Sequence, residues 1–184
     1  ANLLNIKDKT DKLKVNFNLI PRILLGFISG FISSINVNPN GGVPKFPVES
    51  TRLLFAGVEG DRQNDLKYHG GPERAVCIYS LELIDALINE GHPINEGAVG
   101  ENLTISGIDW SMLNSGSIVS IGESVIEITS PAPPCKTIAH VFSDSSFSRI
   151  SEKKFPGWSR WYARVKIEGI VSKGDSVQLI DGEE

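Results

Sequence analysis

Cysteine, histidine and positive charge are all scarce in this 184-residue chain. It has two cysteines and three histidines, and its formal net charge is −4. Two cysteines so far apart in the sequence provide neither a disulfide framework nor a thiolate zinc site, and the histidines lack the spacing of a zinc-binding helix. The acidic balance argues against a nucleic-acid-binding protein, which usually carries a basic face. We therefore expect one globular domain in a reducing cytoplasm, without a nucleic-acid partner.

The chain also lacks the long apolar run of a membrane span and the motifs of three large enzyme classes. Residues 19–25 are mostly apolar, but Pro21 and Arg22 interrupt them, so the run falls short of the ~20 residues that cross a bilayer. We expect residues 1–26 to be an appended segment, and the protein to have no membrane contact. The absence of GxxxxGK[ST], GxGxxG and GxSxG patterns argues against nucleotide hydrolysis, dinucleotide redox chemistry and serine hydrolysis.

The patterns that are present predict a mainly β fold with one clear helix. Residues 27–37 are rich in β-branched and aromatic residues and end in a turn sequence, which is typical of a strand. Residues 81–90 predict a helix, because Ser80 can cap it, apolar residues recur at helical spacing and Gly91 ends it. The apolar face predicted for this helix consists of Leu81, Ile84, Leu87 and Ile88.

A short sequence that occurs twice in similar form favours a barrel. Residues 118–125 (IVSIGESV) return as residues 170–177 (IVSKGDSV), and each copy reads as strand, turn, strand. Farther along, Ala163, Val165 and Ile167 alternate with charged residues, as in half-buried strands. We interpret the two copies as similar hairpins in one compact β-barrel with one or a few short helices, since closure removes exposed sheet edges.

Residues 57–76 are the stretch with the densest group of charged and titratable side chains. Flanking glycines permit close approaches and unusual backbone angles, and between Gly60 and Gly71 acids, bases and cations crowd together: Asp61, Arg62, Asp65, Lys67 and His69. His69 is a candidate acid, base or hydrogen-bond donor. Such a segment is either part of a functional site or a solvated loop.

The two cysteines stand in different contexts. Cys135 follows Pro133 and Pro134, which stiffen the chain before it, and Lys136 beside it would favour the thiolate that attacks electrophiles and binds soft metals. Cys77, inside a run of apolar residues, reads as a buried strand residue acting as a small hydrophobe. The alternative for Cys135 is an incidental thiol.

Several cations and a polar turn complete the set of candidates. The cations fall in two groups, Lys45, Arg62 and Arg74, then Arg149, Arg160 and Arg164. Arginine suits phosphate recognition, although strand alternation predicts that about half of these side chains simply face solvent. Glu101 and Asn102 lie in a polar turn, GENLT, and either fix ligand geometry or only shape the turn.

Taken in order, these motifs resemble the MOSC domain, which is found at the C-terminus of molybdenum cofactor sulfurases and alone in many bacterial proteins. The residues that carry the resemblance are GVPK at 42–45, GVEGDR at 57–62, HGG at 69–71, RAV at 74–76, GENLT at 100–104, Pro134-Cys135, and residues 169–175. The resemblance covers residues 27–181, which we take as the domain, with 1–26 and a tail of 182–184 outside it.

The resemblance implies a barrel-like fold whose loop cysteine, Cys135, is the functional thiol. In one branch of the family the equivalent thiolate ligates molybdenum of the pterin cofactor (molybdopterin), and small N-hydroxylated compounds are reduced with electrons from a reductase. In the sulfurase context the thiol instead carries sulfur as a persulfide, supplied by a pyridoxal-phosphate-dependent cysteine desulfurase. A binding module without catalysis is a third reading. The sequence leaves open both enzymatic activity and assembly into a homodimer.

The leading hypothesis assigns roles to ten residues. The candidate catalytic residues are Cys135, which is also the metal ligand, and His69 and Asp61, which are polar groups around it. The candidate cofactor-binding residues are Lys45, Arg62, Arg74, Glu101, Asn102, Lys136 and Arg160. Stand-alone members of the family often carry arginine where this chain has Ala132, which predicts either weaker cofactor binding here or a transfer of that guanidinium's task to Lys136 or Arg160.

Overall fold

The computed structural model describes residues 29–63 and 70–180. The predicted segments 1–26 and 182–184, and His69, lie outside these ranges, so the predicted domain limits stay predictions. The described chain forms eleven strands: β1 (Gly30–Val37), β2 (Phe46–Val48), β3 (Ser50–Leu54), β4 (Gly57–Val58), β5 (Val76–Ser80), β6 (Leu103–Ser106), β7 (Ile118–Ile121), β8 (Ser124–Ala132), β9 (Arg160–Ile167), β10 (Gly169–Ser172) and β11 (Ser176–Ile180).

Seven of these strands close into a barrel. Their order is β11, β7, β8, β9, β5, β6 and β1, and β1 pairs again with β11; β2 adds to the outer side of β1. All pairings are antiparallel except that of β5 with β6. A separate small sheet has the order β10, β3, β4. The predicted mainly β barrel is therefore confirmed.

The helix α1 (Leu81–Asn89) and four short 3₁₀ segments are the helices of the described residues. The 3₁₀ turns span Pro72–Arg74, Trp110–Met112, Lys136–Val141 and Phe147–Ile150. Helix α1 starts as predicted, with the Ser80 hydroxyl accepting from the Leu83 amide at 3.3 Å. Its predicted apolar face is only partly right, because Ile84 and Leu87 are buried whereas Ile88 is 46% exposed. Ile88 lies on the edge of the apolar stripe, where the helix has already turned away from the barrel.

The prediction of two similar hairpins is half right. Strands β7 and β8 form an antiparallel hairpin, with Ile121 opposite Ser124. Strands β10 and β11 have the same local turn but do not pair with each other, since β10 pairs with β3 and β11 with β7 and β1. The amides of Lys173 and Gly174 bond outside the turn, to the Glu49 and Ile32 carbonyls. This turn therefore passes the chain from the small sheet into the barrel.

Alternating strands fill the barrel with aliphatic side chains. In β7 and β8 the buried residues alternate with partly exposed ones, and they include Val119, Ile121, Ile126 and Ile128, all fully buried. The predicted alternation in β9 ends before Ile167, which is 55% exposed. Over residues 29–63 and 70–180, no helix combines the length and the hydropathy that a bilayer crossing requires.

Candidate functional site

A cavity of about 580 Å³ collects residues from six separate parts of the chain. Such a volume suits a small organic ligand. The described residues that line it are Gly42, Val43, Lys45, Arg62, Gln63, Arg74, Cys77, Val99, Gly100, Asn102, Cys135, Thr137, Ile138, Arg160 and Tyr162.

Six of the ten residues singled out from the sequence line this cavity. They are Lys45, Arg62, Arg74, Asn102, Cys135 and Arg160. Asp61 and Glu101 are not among the described lining residues. Asp61 bonds to two residues that are, Lys45 and Asn102, whereas Glu101 bonds to Gly97 and Thr104, which do not line the cavity. Lys136 is exposed and is absent from the described lining, and His69 is outside the described residues.

Cys135 stands where β8 has ended and the 3₁₀ turn Lys136–Val141 begins. It is partly exposed, and its Sγ lies 2.7 Å from the Thr137 hydroxyl. The Cys135 carbonyl accepts from the Ile138 amide at 3.2 Å, which fixes the turn. The thiol therefore belongs to the cavity wall while remaining reachable from solvent.

Asp61 organises the polar floor of the site. Its side chain is only 3% exposed and forms an ion pair with the Lys45 ammonium. The same carboxylate accepts from the Asn38 amide at 2.8 Å and from the Asn102 side-chain amide at 3.0 Å. Since Asp61 balances its charge, Lys45 contributes less net positive charge to the cavity than its position suggests.

Asn102 joins the polar turn to two barrel strands. Its backbone amide donates to the Cys77 carbonyl at 2.7 Å, and its side-chain oxygen accepts from the Cys77 amide at 3.1 Å. Its own carbonyl accepts from the Asn36 amide at 2.7 Å. The turn is therefore a rigid part of the barrel, and it places the Asn102 side chain in the cavity wall.

Glu101, the neighbour of Asn102, is fully buried. Its Oε1 accepts from the Gly97 amide at 2.6 Å and from the Thr104 hydroxyl at 3.2 Å. Its Oε2 has no hydrogen-bond partner in the described part of the chain. Burial raises the pKa of Glu101 above its usual value, because the charged form is deprived of water.

Arg160 is the most buried cation of the site, with 6% exposure. Its Nη1 donates to the Val99 carbonyl, and its Nη2 donates to the Pro133 carbonyl at 3.3 Å. Arg160 lies directly opposite Ala132 across β8 and β9. Of the two residues expected to replace the guanidinium missing at 132, Arg160 reaches the cavity and Lys136 is not among the described lining residues.

Cys77 and Tyr162 line the cavity as well, and sequence reasoning missed their role. Cys77 is buried in β5, as predicted, and burial raises the pKa of its thiol. Burial also raises the pKa of Tyr162 to about 12, so its hydroxyl keeps its proton at neutral pH. The Arg74 guanidinium lies 5.7 Å from the centre of the Tyr162 ring. Every residue of β5 is buried, so its pattern held no signal that set Cys77 apart.

Arg149 and Arg164, which the sequence analysis grouped with Arg160, are not among the described lining residues. Arg149 stacks on Trp158, 3.4 Å from the ring centre, and pairs with Glu90. Arg164 pairs with Glu73 and Glu127 on the outside of the barrel. Arg160 alone of this group faces the cavity.

Comparison with known proteins supports the resemblance. The sequence model described as "MOSC domain" matches residues 65–178. This chain belongs to the MOSC domain family.

Three relatives show how far the likeness extends. The uncharacterized protein YflK of Bacillus subtilis (strain 168) is 32% identical over 143 residues, which are 76% of this chain and 63% of YflK. Protein YiiM of Escherichia coli (strain K12) is 30% identical over 158 residues, covering 82% of this chain and 70% of YiiM. A protein named reductase from Gibberella moniliformis (strain M3125 / FGSC 7600) is 30% identical over 166 residues, 87% of this chain and 28% of that protein.

The fold agrees as well. The crystal structure of YiiM from Escherichia coli matches this MOSC chain with a TM-score of 0.63, at 24% identity, over 84% of this chain and 71% of that one. This MOSC chain thus spans less than two thirds of YflK and under a third of the fungal reductase, so their full lengths include parts that it does not match.

Proposed function

We propose that this MOSC chain binds the molybdenum cofactor, uses the Cys135 thiolate as a metal ligand and reduces small N-hydroxylated compounds. The observation that carries the proposal is that Cys135 shares one cavity with Arg62, Arg74 and Arg160. A thiolate ligates soft metals, and arginine forks bind phosphate. The fungal relative is named a reductase, which agrees with this reaction class.

The residues present fit such a group. Arg160 is buried and its Nε has no acceptor in the described chain, as expected of a donor kept for a ligand. Gly100 lets the 97–102 loop pass close to Val43 in the cavity wall, because a Cβ at position 100 would come 2.9 Å from the Val43 side chain. Cys135 would ligate the metal, and the arginines with Asn102 would hold the anionic part of the cofactor.

The reaction itself needs two electrons and two protons, since cleavage of an N–OH bond gives an N–H group and water. The bound cofactor would supply the redox-active metal, with electrons delivered by a separate reductase. Thr137 holds the Cys135 sulfur at 2.7 Å and so limits its motion. The protonated Tyr162 hydroxyl can donate a hydrogen bond within the cavity.

Metal analysis tests the proposal. The full chain is made in a host that synthesises the cofactor, beside Cys135→Ala and the matched thiol variant Cys77→Ala. We expect near-stoichiometric molybdenum in the parent and in Cys77→Ala, and loss of molybdenum together with N-hydroxyl reduction in Cys135→Ala. Molybdenum retained in Cys135→Ala would contradict the proposal.

The same preparations test the sulfur-carrier alternative. This alternative is favoured by the partial exposure of Cys135, because a desulfurase must reach the sulfur. A persulfide on Cys135 without molybdenum, formed with a pyridoxal-phosphate-dependent desulfurase and cysteine, would favour the carrier. Neither metal nor persulfide would favour a binding module without catalysis.

A further inference from the structure

A second cavity, of about 550 Å³, lies apart from the one that contains Cys135, and the two share no residue among those that the structure describes. The described residues that line it are Glu90, His92, Ser143, Asp144, Ser146, Ser148, Arg149, Lys154 and Phe155. Three of them, Glu90, His92 and Ser143, place a carboxylate, an imidazole and a hydroxyl in one row.

The end of helix α1 positions His92. Gly91 has a φ of 90°, and its amide donates to the Ile88 carbonyl at 2.9 Å. The His92 amide donates to the Leu87 carbonyl at 3.1 Å. These two bonds define a Schellman motif, which ends a helix in a fixed geometry. The His92 side chain is 8% exposed, and its ring meets the Phe142 ring edge-on with 5.1 Å between the centres, so the imidazole has a fixed orientation.

Ser143 determines which ring nitrogen of His92 carries the proton. The Ser143 backbone amide donates to His92 Nδ1 at 3.3 Å, so this nitrogen is an acceptor. The Ser143 hydroxyl lies 3.1 Å from the same nitrogen and therefore directs its proton towards it. The proton of the neutral imidazole is then on Nε2, the nitrogen on the other side of the ring.

Glu90 faces that other nitrogen. Its Oε2 lies 3.7 Å from His92 Nε2, and Arg149 holds the carboxylate with hydrogen bonds of 2.6 and 2.9 Å. These bonds from Arg149 lower the pKa of Glu90, so the carboxylate is charged at neutral pH. A charged carboxylate at Nε2 stabilises the imidazolium that forms when Nδ1 takes up a proton.

A hydroxyl, an imidazole and a carboxylate in this order are the parts of a nucleophilic triad, which is recognised by its geometry and not by sequence position. The GxSxG pattern that this sequence lacks belongs to only one of the folds that carry such a triad. The two ring nitrogens of His92 exchange the roles that they have in the serine proteases. Ser143 is exposed, so a substrate can reach its hydroxyl.

We propose that Ser143, His92 and Glu90 form a second active site, independent of the proposed function, which hydrolyses small carboxylic esters. Ser143 Oγ attacks the carbonyl carbon while its proton passes to His92 Nδ1. The bond to the alcohol oxygen then breaks, and the alcohol leaves with the proton from His92. Water, which gives a proton to His92, releases the acid from the acyl-serine, and this proton restores the Ser143 hydroxyl.

The rest of the cavity wall suits such a substrate. Lys154 Nζ bonds to the Ser148 hydroxyl at 3.1 Å and pairs with no carboxylate in residues 29–63 or 70–180. Its ammonium supplies the cavity with a positive charge that can stabilise the negative carbonyl oxygen of the intermediate. Phe155 is 41% exposed and offers an apolar surface to the acyl or the alcohol part of the ester.

Labelling with a fluorophosphonate and hydrolysis of p-nitrophenyl acetate test the proposal on the full chain. The fluorophosphonate forms a bond to an activated serine with loss of fluoride, and mass spectrometry of the peptides identifies that serine. We compare the parent with Ser143→Ala, His92→Asn, Glu90→Gln and the control Ser111→Ala. The control removes another exposed serine hydroxyl, which bonds to Asp109 and is absent from the described lining of the cavity.

We expect the label on Ser143 in the parent and in Ser111→Ala, which should also hydrolyse the ester equally fast. Hydrolysis should fall by about tenfold or more in Ser143→Ala and in His92→Asn, because each change removes a group that takes part in the reaction. Glu90→Gln should lower kcat with little change in KM, since Glu90 acts on the imidazole and not on the substrate.

No label on Ser143 in the parent would overturn the proposal. So would full ester hydrolysis by a folded Ser143→Ala, because the imidazole would then react by itself. A change in KM alone in Glu90→Gln would overturn the role of Glu90 in the triad. Thermal unfolding of each variant establishes that it is folded. These results do not depend on the metal, because the presence or absence of molybdenum on Cys135 leaves the label on Ser143 unchanged.

Discussion

Asp61 shows how a residue behind a site wall can matter as much as one within it. Its carboxylate receives the Lys45 ammonium, the Asn38 backbone amide and the Asn102 side-chain amide. Lys45 and Asn102 line the cavity, and Asn38 lies shortly before Gly42 and Val43, which also line it. The carboxylate therefore fixes the positions of groups that would themselves contact a ligand.

Replacing Asp61 by Asn should destabilise the protein by about 3 kcal/mol, because the nearly buried Lys45 ammonium loses its counter-charge. Urea unfolding measures the change. The double variant Lys45→Met, Asp61→Asn should recover part of the loss, since it removes the unpaired charge. Equal losses in the single and the double variant would show that the ion pair is not the cause.

The loops depend on glycines at points of close approach. Gly97 has a φ of 78°, and a Cβ there would lie 2.5 Å from the Lys45 carbonyl oxygen. Gly116 has a φ of 96°, but a Cβ there would meet nothing within 4 Å. An alanine at either position would be strained by the positive φ, but only at position 97 would its Cβ also clash with neighbouring atoms.

Gly97→Ala should therefore cost about 2 kcal/mol more than Gly116→Ala in free energy of unfolding, because backbone atoms must shift in the first case only. Thermal and urea unfolding of both variants check this. The Gly97 variant should also alter the contact between the 97–102 loop and Lys45. A smaller loss in Gly97→Ala than in Gly116→Ala would show that the loop yields freely.

The pairing of β8 with β9 places Glu127 opposite Arg164. Hydrogen bonds from Arg164, and then from Lys166, lower the pKa of Glu127 to about 2. A lowered carboxyl pKa stabilises the fold above the unfolded-state pKa of about 4.3, and this stabilisation is lost as the pH falls towards 2. The parent should therefore lose more stability between pH 5 and pH 2 than Glu127→Gln, as measured by urea unfolding. Parallel stability curves for the two proteins would contradict this.

Local signals predicted elements whose partners are close in sequence. The start of α1 follows from Ser80, and the β7 and β8 hairpin from its turn, because in both cases the stabilising bonds span a few residues. The matching turn before β11 predicted a second hairpin wrongly, since strand pairing there is decided by β3 and β1, far away in the chain.

The residues of the candidate site divide in the same way, into those with a local sequence signal and those placed only by distant contacts. Cys135 and its rigid approach stand out locally, and the structure places the thiol with three of the predicted arginines. Arg160 and Arg164 could not be told apart, because they lie four residues apart on the same strand, β9, at positions of equal parity. They differ only in their distant neighbours, since the loops of Val99 and Pro133 bond to Arg160, whereas Glu73 and Glu127 pair with Arg164. Tyr162 and Cys77 carried no signal at all, since they read as ordinary buried strand residues.

The barrel as a whole is closed by its first and last described strands. Gly30 lies opposite Val177 and Phe31 opposite Ser176, so β1 and β11 meet although nearly the whole described chain separates them. Contacts between such distant residues slow folding, because a long loop must close before they form. The closing pair is therefore formed at a high entropic cost.

Val177→Asp should destabilise the whole protein by about 3 kcal/mol or more, because it buries a carboxylate where Val177 is fully enclosed. Gln178→Asp is the matched control one residue along the strand, where the side chain is exposed, and should change stability by less than about 0.5 kcal/mol. Chemical denaturation followed by circular dichroism compares them. A Val177→Asp protein as stable as the control would show that closure at this pair contributes little.

The scattered origin of the cavity wall has a consequence for how the protein survives in a cell. Six distant stretches meet there only after the barrel has closed, so an unfolded or partly digested chain offers a ligand nothing to hold. Each tenfold rise in free ligand above its dissociation constant then adds about 1.4 kcal/mol against unfolding. The supply of the ligand would thereby affect how long the folded protein resists proteolysis, and cells that lack the ligand would contain less of the protein.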